Sequence, residues 1–116
     1  MNKDLQIAKK TVQTEIKALK KLSGTFNNKS QFSRAVSLIS KAKGKCLVVG
    51  VGKSYIVGLK IAATLSSLGT PSVAFSANDL QHGGLGAIQK NQDVLLVFSV
   101  SGESSELNSI LRYAKR

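Results

Sequence analysis

Residues 45–50, KCLVVG, and 93–101, DVLLVFSVS, are apolar with almost no alternation. A strand with one face in water alternates apolar and polar residues, whereas one that is apolar at successive positions needs cover on both faces. Such strands occur in parallel sheets, whose crossover connections lay helices on either side. The rest of the chain fits that demand. Residues 54–68 read as a helix with Val57, Ile61, Leu65 and Leu68 on one stripe, ended by Gly69-Thr70-Pro71. PSVAFS reads as a second strand, and ANDLQHGGLGAI as a glycine-rich, irregular loop. After the third strand Gly102 makes a turn, and residues 104–116 are helical with Leu107, Ile110, Leu111 and Ala114 inward. The expected fold is therefore α/β, a doubly wound parallel sheet.

The segment before it has a different character. Residues 4–22 place Leu5, Ala8, Val12, Ile16, Leu19 and Leu22 at helical spacing among lysines, stopped by Ser23-Gly24. A second helix is expected from 30 to 43, with Phe32, Val36 and Ile39 inward. Of the net charge of +11, residues 1–44 carry +8. The excess lies along helices, without interleaved aromatics, a zinc finger or a recognition unit, so it reads as a solvated face and not a specific nucleic-acid site. At 116 residues the chain holds at most one small domain. It divides into an N-terminal helical segment, 1–43, and an α/β domain, 44–116. No stretch reaches the roughly 18 apolar residues of a membrane span, and the charged N-terminus is unlike a signal peptide. A cytoplasmic location without membrane contact is expected. The single cysteine, Cys46, lies inside an apolar run and reads as a buried strand residue.

Three parallel strands make a poor sheet, and nothing follows the last helix to cover the outer side of the third. The domain is expected to be truncated after that strand.

Ligands of open α/β sheets bind beyond the carboxyl ends of the strands. Three loops reach that edge. The first, Gly50-Val51-Gly52-Lys53-Ser54, is neither of two familiar phosphate loops: a Walker A motif would need glycine where Leu47 stands, and a dinucleotide fingerprint would need it at Tyr55. It is still a Gly-x-Gly turn opening a helix, which suits an anion. The second loop holds the only histidine, His82. In a polar loop, directly before Gly83 and Gly84, it suits acid–base work or substrate hydrogen bonding as well as no role. In the third, Ser99, Ser101 and Ser104 can donate to a phosphate while Gly102 lets the backbone approach. A helix cap needs only one such serine. Glu106 falls in the first helical turn, as a proton-abstracting base or as a carboxylate complementing the dipole. Lys53 can anchor phosphate, polarise a carbonyl or sit idle in solvent. With no second His or Cys at ligand spacing, neither a metal nor another cofactor is expected.

GVGKS, GTPS, HGGLG and above all SVSGESSE, in this order over 44–116, resemble the sugar isomerase (SIS) domain family, in its arabinose-5-phosphate isomerase branch. The resemblance implies a flavodoxin-like α/β/α sandwich, preceded here by two helices. It implies an aldose–ketose isomerase acting on arabinose 5-phosphate, in a route to lipopolysaccharide, and a homo-oligomer that binds a phosphorylated sugar. It places catalytic roles on Lys53, His82 and Glu106. Phosphate contacts fall on Gly52, Ser54, Ser99, Ser101, Gly102, Glu103 and Ser104. Three positions depart from the family pattern: Val100 replaces a usual Asn, Gly84 a usual Asp, and Tyr55 a small residue. The family continues with further strands, a later histidine and often paired CBS domains. The chain is thus expected to be a truncated or split isomerase, or a sugar-phosphate-binding module that has lost its chemistry.

Overall fold

The computed structural model describes residues 2–102 and 105–115. The run from Cys46 to Gly50 forms β1, and every one of its residues is buried. It is central because β2 (Ser72–Ser76) and β3 (Val94–Phe98) both pair with it in parallel, giving the order β2-β1-β3. Val48 stands opposite Ala74 on one side and Leu96 on the other.

The absence of alternation in β1 becomes two separate cores. Cys46 and Val48 point to one face with Ala74, Leu96 and Phe98, and are covered by α3 (Lys53–Ser67) through Ala62 and Leu65. Val49 points to the other face with Phe75, Leu95 and Val97. There α4 (Ala77–Gln81) and α5 (Ser105–Ala114) cover it through Ala77, Leu80, Leu107 and Ile110. The helix after β1 and the helix after β3 thus lie on opposite faces, which is the doubly wound arrangement.

Three local expectations are corrected. The buried residues of α3 are Gly58 and Ala62, while Val57 and Leu68 are exposed. Small residues let the helix approach β1 closely; a Cβ on Gly58 would stand 3.1 Å from Val48 Cγ1. The loop expected to be irregular contains α4 and a 3-10 turn at Gly84–Ala87. The Ser76 hydroxyl caps α4 by accepting from the Asp79 amide at 3.1 Å, a Ser-x-x-Asp signal legible in the sequence. In α5 only Leu107 and Ile110 are buried, and Leu111 and Ala114 are exposed.

The chain divides into two compact units, Met1–Val36 and Ser37–Arg116. In the first, α1 (Lys3–Ser23) starts at Asn2, whose side chain accepts from the Asp4 amide at 2.8 Å, and stops at Gly24 as expected. No residue of α1 is buried. The second helix is shorter than expected: α2 spans Phe32–Ser40, and Phe32 and Val36 are exposed instead of inward. Phe32 meets Phe26 edge-on, with centroids 5.0 Å apart. Ile39 packs on the Cys46–Val48 cluster.

At the amino ends of β1 and β3 the sheet is pinned by an ion pair. Lys45 Nζ donates to Asp93 Oδ2 at 2.8 Å and to the Ala87 carbonyl at 2.9 Å. The amides of Lys45 and Gln89 also donate to the carboxylate, each at 2.8 Å. Burial alone would raise the Asp93 carboxyl, yet these hydrogen bonds and the ammonium charge hold it below its ordinary value.

Candidate functional site

The carboxyl edge of the sheet is built by the exits of β1 and β3. Leaving β1, Gly50 is passed so closely by α3 that a Cβ there would stand 2.6 Å from the Ser54 carbonyl carbon. Only glycine fits. Gly52, the residue before α3, has φ 57° and ψ −123°, a conformation costly for residues with a Cβ. No side chain caps α3, and no acidic residue sits in its first turn. The positive end of the helix dipole therefore has no counter-charge from its own first turn, and Lys53 adds a second positive group.

Leaving β3, the chain turns at Gly102, with φ 70°. The Ser99 hydroxyl accepts from the Gly102 amide at 2.8 Å and so closes the turn. It keeps its own proton to donate. In this way Ser99 braces the 99–102 turn ahead of α5.

The two exits enclose a crevice of about 350 Å³ lined by Lys53, Ser54, Val57, Phe98, Ser99 and Val100. An adjoining hollow shares Ser54, Phe98, Ser99 and Val100 and adds Val51, Ser101 and Leu107. Lys53, Ser54 and Ser99 border a largely apolar wall of Val57, Phe98 and Val100, in which Val100 is fully exposed. This sits where β1 and β3 send their helices to opposite faces, the switch point at which open α/β sheets take ligands. A larger hollow of about 410 Å³ lies at the other end of β3, between 88–93 and Tyr113–Lys115. Its one carboxylate, Asp93, is already engaged with Lys45, so the carboxyl edge is the better site.

Lys53, Ser54, Ser99 and Ser101 are brought together, then, with the Gly52 and Gly102 turns beside them. His82 and Glu106 do not line the crevice. His82 is exposed and closes α4, its amide donating to the Asn78 carbonyl at 3.1 Å. Glu106 lies half-buried in the first turn of α5. Glu103 and Ser104 lie outside the described residues. Among the described residues no cluster of His, Cys, Asp and Glu could hold a metal, and no helix is long and apolar enough to cross a membrane. Cys46 is buried as expected, and that burial pushes its thiol up, away from reactivity. The sequence reading missed the apolar wall of Val57 and Phe98. It also missed Gln81, whose side chain reaches α5; a contact 25 residues along the chain leaves no mark in local spacing.

The sequence profile of the SIS domain matches residues 38–116. This chain belongs to the SIS domain family. Arabinose 5-phosphate isomerase KdsD of Yersinia pestis is 40% identical to it over 111 residues, covering 96% of this chain and 33% of that protein. The KdsD of Pseudomonas aeruginosa is 40% identical over 109 residues, covering 94% of this chain and 32% of the relative. Among solved structures, an Escherichia coli CFT073 protein in complex with arabinose 5-phosphate superposes with TM-score 0.85 at 33% identity, covering 99% of this chain and 61% of that one. A candidate sugar-phosphate isomerase of Listeria monocytogenes superposes with TM-score 0.86 at 28% identity, over 99% and 60%. This SIS chain thus spans about one third of the length of its curated relatives.

Proposed function

We propose that this SIS chain is the phosphosugar-binding part of an aldose–ketose isomerase that interconverts arabinose 5-phosphate and ribulose 5-phosphate. One observation carries the reading: the uncapped start of α3, the Lys53 ammonium and the Ser54 and Ser99 hydroxyls share one crevice at the sheet's switch point. Each favours a phosphate dianion, and together they supply charge-assisted hydrogen bonds from both sides. The relatives' names and the neighbour's bound arabinose 5-phosphate suggest the sugar. Gly52, Ser101, Gly102, Glu103 and Ser104 complete the phosphate contacts in this proposal.

In the chemistry proposed, Glu106 takes the C2 proton of the open-chain aldose. The C–H electron pair becomes a C1–C2 double bond as the carbonyl oxygen gains a proton, giving a cis-enediol. Return of that proton from Glu106 to C1, as the C2 hydroxyl gives up its own proton, forms the C2 carbonyl of the ketose. Lys53 would stabilise the charge growing on the carbonyl oxygen, and His82 would carry protons at the sugar oxygens and in ring opening. A role in lipopolysaccharide supply and a cytoplasmic location belong to the same proposal.

The proposal extends to self-association through α1. Its apolar residues recur at the 3.6-residue period of a straight helix, and Leu5, Val12, Leu19 and Leu22 are each at least half exposed. A face of that kind suits a second copy of the chain.

A second reading has its own support. His82 and Glu106 stand outside the crevice that gathers the phosphate groups, as in a binding module without chemistry. Proton NMR of arabinose 5-phosphate in D₂O with the purified chain separates the two. Loss of the C2 proton signal, slowed about a hundredfold or more by Glu106→Gln, supports the isomerase. Line broadening without exchange supports the binding module. A folded chain that does neither overturns both.

A further inference from the structure

Three observations converge on a residue that none of the foregoing roles uses. First, α4 and α5 are one packed body: Ala77 and Leu80 are wholly buried with Leu107 and Ile110 on the sheet face opposite α3. Second, the Gln81 side chain crosses between them. Its Nε2 donates to the Ser109 hydroxyl at 2.7 Å and to the Glu106 carbonyl at 3.2 Å. The one amide nitrogen thus serves both acceptors. Third, the Ser109 hydroxyl itself donates to the Glu106 carbonyl at 3.1 Å, closing a three-membered network on the first turn of α5. Gln81 is followed directly by His82, whose amide is anchored to Asn78 within α4.

We infer that Gln81 is a positioning residue that fixes the His82 segment in register with the turn carrying Glu106. The inference rests on the isomerase reading for its catalytic meaning, although the coupling itself does not. Packing of Leu80 on Ile110 sets how near the two helices lie, but apolar contact is non-directional and leaves sliding along the helix axis poorly determined. Two hydrogen bonds from one planar amide to points three residues apart on α5 remove that freedom. Lys53 stands on the other side of the sheet's switch point, on a helix with a separate core. An acid–base pair held on one body, with the electrophile on the other, needs the pair's internal register kept when a ligand occupies the crevice. Misplacement of about 1 Å can cost a hundredfold in rate.

The experiment uses Gln81→Met, which keeps volume and length but donates nothing, and Ser109→Ala. Both are read in the full chain by ¹⁵N–¹H NMR and thermal unfolding before any activity is measured. The expected result is that Ser109→Ala moves the Gln81 side-chain amide and the His82 backbone amide. Gln81→Met should in turn move the amides of Leu107–Ile110, with the midpoint of unfolding nearly unchanged and β1 and β2 resonances in place. For isomerisation, Gln81→Met should lower kcat about ten- to a hundredfold with KM nearly unchanged, and Ser109→Ala should add little in the double variant. A silent His82 amide in Ser109→Ala overturns the coupling. A local resonance shift with unchanged kcat overturns the positioning role, as does an equal loss of kcat and stability across the domain. If the wild-type chain proves inactive while the two sets of amides still respond to each other, the isomerase reading falls and the clamp stands.

Discussion

The two ends of the same three strands treat polar groups in opposite ways. At the amino end, the Asp93 side chain has no exposure, yet three donors reach it: the Lys45 ammonium, the Lys45 amide and the Gln89 amide. Every buried polar side-chain atom among the described residues has a partner. At the carboxyl end, α3 begins without a cap, Lys53 makes no ion pair among the described residues, and Ser99 keeps a proton to give. One edge has committed its polar groups to the fold. The other leaves the start of α3, the Lys53 ammonium and the Ser99 proton uncommitted among the described residues, beside the tight turn at Gly50 and Gly52.

That contrast can be broken from either end. The largest effect is expected at Asp93. Replacing it by alanine leaves a partly buried ammonium and two amides without their acceptor, a loss of about 3 kcal/mol or more in stability. Chemical denaturation should show a lower midpoint, while phosphate affinity of the folded fraction stays as it was; a fall in affinity of that fraction would erase the distinction between the ends. Next comes Gly50→Ala, which crosses the boundary. Its methyl must displace the Ser54 backbone, costing about 2 kcal/mol and also weakening phosphate binding, because one turn both packs α3 on the sheet and shapes the crevice. Thermal unfolding and a phosphate titration on one sample should move together.

Smaller still, Ser99→Ala should weaken inorganic phosphate or sugar-phosphate binding about tenfold by calorimetry, with stability changed by only the brace to Gly102. A large drop in stability with intact binding would reassign Ser99 to the fold. The smallest effect is in acid. The native Asp93 carboxyl ionises more readily than its unfolded value of 3.8. The folded state therefore binds fewer protons there, and this contribution is whole above the unfolded value and is lost as pH falls through the lower native value. Denaturation followed from about pH 6 to about pH 2, across the ordinary carboxylate range, should show a loss that Asp93→Asn lacks.

The elements that were legible are those whose signal is local. KCLVVG had to be a covered strand, because its successive side chains face opposite sides and all beyond the lysine are apolar. The spacing of Leu5 to Leu22 and the Ser23-Gly24 stop delimited α1. Gly52 was legible as a turn, and the position of Ser54 and Ser99 at strand exits followed from where open sheets bind ligands. The phase of α3 was not legible. Hydrophobicity favoured Val57 and Leu68, but Gly58 and Ala62 face the sheet because small residues allow a closer approach to Val48. The glycines after α4 masked it, although the Ser76 and Asp79 cap signal stood in the sequence.

Pattern alone therefore determined that this chain makes a two-sided parallel sheet with anion-ready turns at one edge, since burial of apolar side chains and the chirality of crossovers admit few alternatives. Only the tertiary structure decided which groups share that edge. It set Ser54 beside Ser99, left His82 and Glu106 outside the crevice, and joined their segments through Gln81. Those pairings depend on contacts between residues far apart in the chain, whose distances are set by side-chain volume and hydrogen-bond geometry and not by any periodicity along the sequence.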